Sequence, residues 1–96
     1  MKFYLHRRAE EELDAAVNYY EACQPGLGLE FTEAVYGTIA RISEFPHAWP
    51  LLDEDIRRCL VNRFPFRVIY KVESDMIRIM AVAQLHRQPD YWRERA

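Results

Sequence analysis

Ninety-six residues, half of them apolar, with a formal net charge of −2, are enough for one domain over residues 1–96 with one core, marginal unless well packed. The charged N-terminus is no signal peptide and no apolar run approaches spanning length, so a soluble, cytoplasmic protein without membrane contact is expected. Cys23 and Cys59 lie far apart without C-x-x-C spacing, His6, His47 and His86 are dispersed, and no Gly-rich phosphate loop is present; neither a metal site nor a cofactor is expected, and both thiols read as structural.

In chain order, Lys2 to His6 alternates, with Phe3 and Leu5 on one side, and predicts a short first strand. From Ala9 the period becomes helical: Ala9, Leu13, Ala16, Val17 and Tyr20 form a stripe, and Glu10, Glu11, Glu12 and Asp14 place negative charge near the positive end of the dipole. Gln24-Pro25-Gly26 supplies a breaker and then a permissive glycine, ending this helix near Cys23. A second helix follows, with Leu27, Phe31, Ala34, Val35, Thr38, Ile42 and Phe45 on one stripe and Pro46 as its stop. Together they predict an αα-hairpin whose apolar stripes need a partner face. His47 to Asp55 reads as a connecting loop, with Trp49 packed under the sheet edge.

Three strands then succeed one another. Ile56 to Val61 is the first, and Asn62-Arg63 links it to a segment in which Phe64, Phe66, Val68, Tyr70 and Val72 share one parity while Arg67, Ile69 and Lys71 share the other. One face is therefore core and the other carries charge. Pro65 cannot donate to a ladder and belongs at the start of that strand or at an open edge. Glu73-Ser74-Asp75 reads as a hairpin loop, after which Ile77, Ile79, Ala81 and Ala83 alternate with Arg78, Met80, Val82 and Gln84. The three strands predict an antiparallel meander whose even-parity face receives the helices.

Charge is unevenly distributed. Met1 to Asp55 holds 4 Lys/Arg against 11 Asp/Glu, a net of −7, whereas Ile56 to Ala96 holds 9 against 4, a net of +5. The basic half coincides with the meander, which suggests a surface for an anionic partner, nucleic acid or an acidic protein. A solvated face whose arginine stems cover apolar surface is the alternative.

The order β-α-α-β-β-β, with AEEELDAAVNYYE, GLGLEF, SEFPHAWP, IRRCLVNRFPFRVIY and the terminal RQPDYW, resembles the RelE/ParE family of bacterial type II toxins, which includes plasmid stabilisation proteins. The resemblance covers almost the whole chain. It implies an α+β fold with the αα-hairpin packed on an antiparallel sheet, and a neutralising antitoxin as partner. RelE-like members are ribosome-dependent mRNA endoribonucleases, in which a base activates the ribose 2′-hydroxyl, an arginine stabilises the phosphate and an acid protonates the leaving oxygen. ParE-like members bind and inhibit DNA gyrase and perform no chemistry of their own.

Carried over by position, Arg67 in FPFRVIY matches the phosphate-binding arginine of the nucleases. His86 and Arg87, just past the last strand, lie where those relatives place a terminal acid or phosphate ligand, and an imidazole suits proton transfer. Tyr91 and Trp92 either stack on a base or pin the C-terminal segment to the domain. Asp53, Glu54 and Asp55 can offer a base at the strand entrance. Arg57 and Arg58 point to opposite faces, so at most one joins Arg67; with Lys71, Arg78 and Trp92 they complete the residues expected to meet a target or an antitoxin. Gln84 departs from the family, since many relatives carry histidine there and glutamine exchanges no proton near neutrality. Gyrase is the expected target: a net-acidic chain is poorly suited to entering a polyanionic ribosome. Ribosome-bound mRNA, or binding to the antitoxin without toxicity, are the alternatives.

Overall fold

The apolar stripes and alternations fold into two layers. The structure, a computed structural model that describes residues 1–88 and 90–95, contains β1 (Lys2–Leu5), α1 (Arg7–Cys23), α2 (Leu27–Glu44), β2 (Ile56–Leu60), β3 (Phe66–Glu73), β4 (Met76–Gln84) and a 3-10 turn at Arg93–Arg95. Pro89 of the terminal motif lies outside the described residues.

α1 starts earlier than its periodicity suggests, because His6 caps it: the imidazole Nδ1 accepts the Arg8 N–H at 3.1 Å. It ends where Pro25 and Gly26 follow, and Gly26 takes the left-handed φ of 89° that the expected turn requires. The turn is then fastened by Glu21, whose carboxylate accepts from Gly26 N and Gly28 N. These are donors that the start of α2 leaves without helical partners.

Gly28 also permits the close approach of the two helices. A Cβ there would stand 2.8 Å from the Val17 carbonyl oxygen and 2.9 Å from Glu21 Oε1, whereas one at Gly37 would meet nothing. Gly28→Ala is therefore expected to destabilise the protein by about 1–3 kcal/mol. Gly37→Ala, in the exposed middle of the same helix, should be neutral or stabilising by up to about 1 kcal/mol. Urea midpoints of the two variants provide the check, and equal losses would remove the packing argument.

The strands form one sheet in the order β1-β4-β3-β2. β2, β3 and β4 make the expected antiparallel meander, with Ser74 and Asp75 as its turn between the paired Glu73 and Met76. β1 adds parallel to β4, with Phe3 beside Ile77 and Leu5 beside Ile79, so the sheet is mixed rather than wholly antiparallel. The helical hairpin carries the chain away from β1, and the meander returns β4 alongside it in the same direction.

A bulge changes the reading of β4. Tyr70 stands opposite Ile79 but Ile69 stands opposite Ala81, which makes Met80 the extra residue. Such an insertion reverses the parity of the residues beyond it. Ile77, Ile79 and Val82 consequently pack with the helices, while Met80, Ala81 and Ala83 join a second cluster with Ile56, Ile69 and Trp92 on the other face. The expected alternation of Ile77, Ile79, Ala81 and Ala83 on one side thus fails at Met80.

The main core lies between sheet and helices. Ala9, Leu13 and Ala16 of α1 and Phe31, Val35, Ile39 and Ile42 of α2 meet Phe64, Phe66, Val68 and Tyr70. Tyr20 holds its ring 4.9 Å from Phe64 and 5.1 Å from Phe31, and Phe31 meets Phe66 edge-on at 4.9 Å, separations at which aromatic pairs add to simple burial. Tyr70 is buried, donates to the Pro46 carbonyl at 2.7 Å, and has its phenol pushed up to about 12 by that burial. Phe45, expected on the apolar stripe, is exposed beyond the end of α2.

Candidate functional site

The face of the sheet turned away from the helices carries the charge. Parity and pairing place Arg67, Ile69 and Lys71 of β3 there, with Arg58 and Leu60 beside them on β2 and Arg78 on β4. Arg58 therefore shares the surface of Arg67. Arg57 does not: it is paired with Tyr70 on the helix side, is half-buried, and donates to the Trp49 carbonyl at 2.7 Å. Arg57 thereby anchors the 47–55 loop, whose Trp49 packs against the main core.

The cations on this face differ in availability. Lys71 lies 3.5 Å from Asp55, and Arg78 lies 3.7 Å from Glu73. Arg67 makes no ion pair among the described residues, and its Nε is buried without a hydrogen-bond partner among them. Like Arg58, which also makes no ion pair among the described residues, it is a half-buried guanidinium with no carboxylate beside it.

Part of the face is covered by the chain's own end. Trp92 is buried against Ile69, Met80, Ala81 and Ala83, with Leu52 and Tyr91 packed alongside. Trp92 therefore pins the C-terminal segment. Asp53 fastens the same segment by pairing with Arg93, and that hydrogen bond, then the one from Glu54 N, holds the Asp53 carboxyl below the usual carboxylate range. A carboxylate so stabilised in its charged form is a weak base.

At the far end of β4 a second polar group assembles. β1 stops at Leu5, and beyond it the outer edge of β4 lacks a neighbouring strand. Side chains substitute for one: Glu12 accepts the Val82 N–H at 3.0 Å, and Arg95 donates to the Met80 carbonyl at 3.1 Å. The two are joined by a bidentate pair at 2.9 and 3.0 Å. Arg87 approaches Glu12 at 3.7 Å and stacks 3.9 Å from the centre of the Tyr91 ring. Tyr91 is half-buried, its hydroxyl without a hydrogen-bond partner among the described residues. Burial first, then the Glu12 carboxylate, raises its phenol well above the ordinary value.

The expected catalytic residues are thus divided. Arg87 and Tyr91 meet around Glu12, His86 stands exposed on the turn after β4, and Arg67 belongs to the sheet face shared with Arg58. Gln84 is exposed and, with Arg87, lines a groove of about 290 Å³ between α1 and the ends of β3 and β4. Ala16, Tyr19 and Tyr20 form its apolar wall. A second concavity of about 440 Å³ runs along the β2 edge between Arg41, Trp49, Arg58 and Leu60. No helix is long and apolar enough to cross a membrane, and no cluster of metal-ligating side chains occurs among the described residues.

Glu12 and Arg95 were not legible as partners. Glu12 reads as one of three glutamates at a helix start, yet it lies three residues after Ala9 and four before Ala16, on the edge of the buried stripe. That spacing is the signal that it turns inward.

An αα-hairpin on a four-stranded mixed sheet is an α+β fold that solved structures share. A chain of the chromosomal ParDE TA system from P. aeruginosa superposes with a TM-score of 0.78 at 19% sequence identity, covering 90% of this chain and 97% of that one. The chain belongs to the ParE toxin family of type II toxin-antitoxin systems, parDE, whose family model matches residues 3–91. No curated protein matches it.

Proposed function

We propose that the protein is a ParE-like toxin that binds and inhibits DNA gyrase and is neutralised by a cognate antitoxin. The observation that carries this reading is the match of the ParE family model to residues 3–91. The chemistry of the polar residues supports it. A ribosomal nuclease needs a base and an acid that exchange protons near neutral pH. Gln84 cannot titrate, the Tyr91 phenol is buried and raised, and the Asp53 carboxylate is committed to Arg93. His86 remains, exposed on its turn, with Glu54 and Asp55 exposed before β2. Binding to a protein target makes no such demand.

In this reading Arg58, Arg67, Lys71 and Arg78 form the surface offered to the target or to an acidic, amphipathic segment of the antitoxin. A flexible segment that orders on binding gains affinity from a few apolar anchors, with charge pairs that weaken as salt rises. Purified toxin is expected to abolish supercoiling by purified gyrase, and stoichiometric antitoxin to restore it. Ribosome-bound messenger should stay uncut in toeprinting. Cleavage at the decoding site that disappears in Arg67→Ala and His86→Ala variants would replace the gyrase reading with the nuclease one.

A further inference from the structure

β2 is an edge strand of the sheet, and only its first half is covered. Leu51 stands opposite Arg57, the Arg58 N–H donates to the Pro50 carbonyl at 3.1 Å, and the Leu52 N–H donates to the Ile56 carbonyl at 2.7 Å. In such a ladder the residue opposite Arg58 would return an N–H to its carbonyl, but Pro50 has none to give. Further along, Val61 faces β3, since its N–H donates to the Phe66 carbonyl, so the polar groups of Leu60 face outward. The Leu60 carbonyl accepts from the Arg41 guanidinium at 3.2 Å. The Arg58 carbonyl and the Leu60 N–H are left on the open side with no partner among the described residues. An edge open over this short stretch is a template for one more segment of chain.

The cavity of about 440 Å³ lies against the same stretch. Trp49, Pro50, Cys59 and the exposed Leu60 supply apolar wall, and Arg41 and Arg58 supply its charge. No carboxylate lines it, and neither arginine makes an ion pair among the described residues. Asp53 and Asp55 of the preceding loop pair instead with Arg93 and Lys71. A free backbone acceptor and donor, an apolar hollow and two guanidiniums without carboxylates match an extended peptide that carries both apolar and acidic side chains.

We infer that the second half of β2 receives an extended peptide segment of a protein partner, in which an apolar residue is flanked by carboxylates. In a parallel ladder one residue bonds both neighbours of the residue it faces. A peptide residue opposite Cys59 therefore donates its N–H to the Arg58 carbonyl and accepts from the Leu60 N–H, the two groups left open. Its side chain falls on the Cys59 side of the sheet, where the cavity lies, and those of its neighbours fall on the side of Arg58. That alternation calls for an apolar residue between two acidic ones. A second copy of β2 on this edge would set its own Arg41 and Arg58 against these, so like charges disfavour self-pairing. Occupation of the edge does not depend on gyrase being the target.

The test is a titration of the purified full-length chain followed by backbone amide NMR. The probe is a blocked heptapeptide with a central leucine between two glutamates and threonines at either end; the control replaces the glutamates with lysines. With the glutamate peptide alone, the Leu60 amide should shift saturably and gain protection from hydrogen exchange. Arg58→Glu should weaken binding roughly tenfold or more. Methylating the backbone nitrogen of the central leucine, which leaves the protein unchanged, should do the same by removing the bond to the Arg58 carbonyl. No saturable shift at Leu60, or equal binding by the lysine peptide, by the methylated peptide or to Arg58→Glu, would overturn the site. A Leu60 shift that grows with protein concentration alone would assign the edge to a second copy and overturn it as well.

Discussion

Replacing Glu12 by alanine is expected to cost about 3–5 kcal/mol, the penalty for leaving one member of a buried ion pair alone. Three groups lose a partner at once: the Arg95 guanidinium, the Val82 N–H beyond the end of β1, and Arg87 at the rim. A domain of this size has roughly 5–15 kcal/mol in all, so the variant should be close to unfolding at physiological temperature. Because Arg95 ties the C-terminal turn to β4, Trp92 should also lose its seat, which shifts tryptophan emission to the red before global unfolding. A paired apolar replacement, Glu12→Leu with Arg95→Met, removes both charges together and is expected to recover much of the loss. Denaturant unfolding of the single and double variants gives the coupling directly. A Glu12→Ala variant within about 0.5 kcal/mol of the parent would mean that water replaces the carboxylate and that the clasp contributes little.

Much of the architecture was legible because burial on one side of an element imposes its period on the residues. The stripe from Ala9 to Tyr20 and the even-parity run Phe64, Phe66, Val68, Tyr70 and Val72 point at each other in the structure as their spacing implies. The family was legible for the same reason, since the order of these elements and their connecting words is what the ParE toxins share. Three features were hidden. The bulge at Met80 leaves no mark in composition, because either parity of β4 is apolar enough to be core. The parallel docking of β1 depends on pairing between residues more than seventy positions apart, which no local pattern reports. The site residues scattered for a third reason. Arg57, Arg58, Arg67, Lys71 and Arg78 look equivalent as exposed strand arginines or lysine, and only pairing across strands tells which lie beside a carboxylate, which hold a loop and which remain without a counter-ion.

Adjacent residues of β3 should respond oppositely to truncation. Phe66 is buried in the main core against Phe31 and Tyr20, so Phe66→Ala removes a ring from a packed aromatic cluster and should cost about 3–5 kcal/mol. Arg67 lies on the other face, paired across from Ala83 of the second apolar cluster, and its Nε is buried without a hydrogen-bond partner among the described residues. Truncating it loses some packing but also relieves an unsatisfied buried nitrogen. Its net effect on stability should therefore stay within about 1 kcal/mol. Function is expected to reverse the order. Arg67→Ala removes a charge of the sheet face that no ion pair among the described residues neutralises and should weaken both gyrase inhibition and antitoxin binding, more so at low salt, where exposed charge pairs are least screened. Phe66→Ala should lose activity only in proportion to the fraction unfolded. Thermal melts beside supercoiling assays at two ionic strengths separate the two effects. If both variants melted early by the same amount, the assignment of the two faces of β3 would be wrong; if Arg67→Ala stayed folded and fully inhibitory, the basic face would have no part in the target contact.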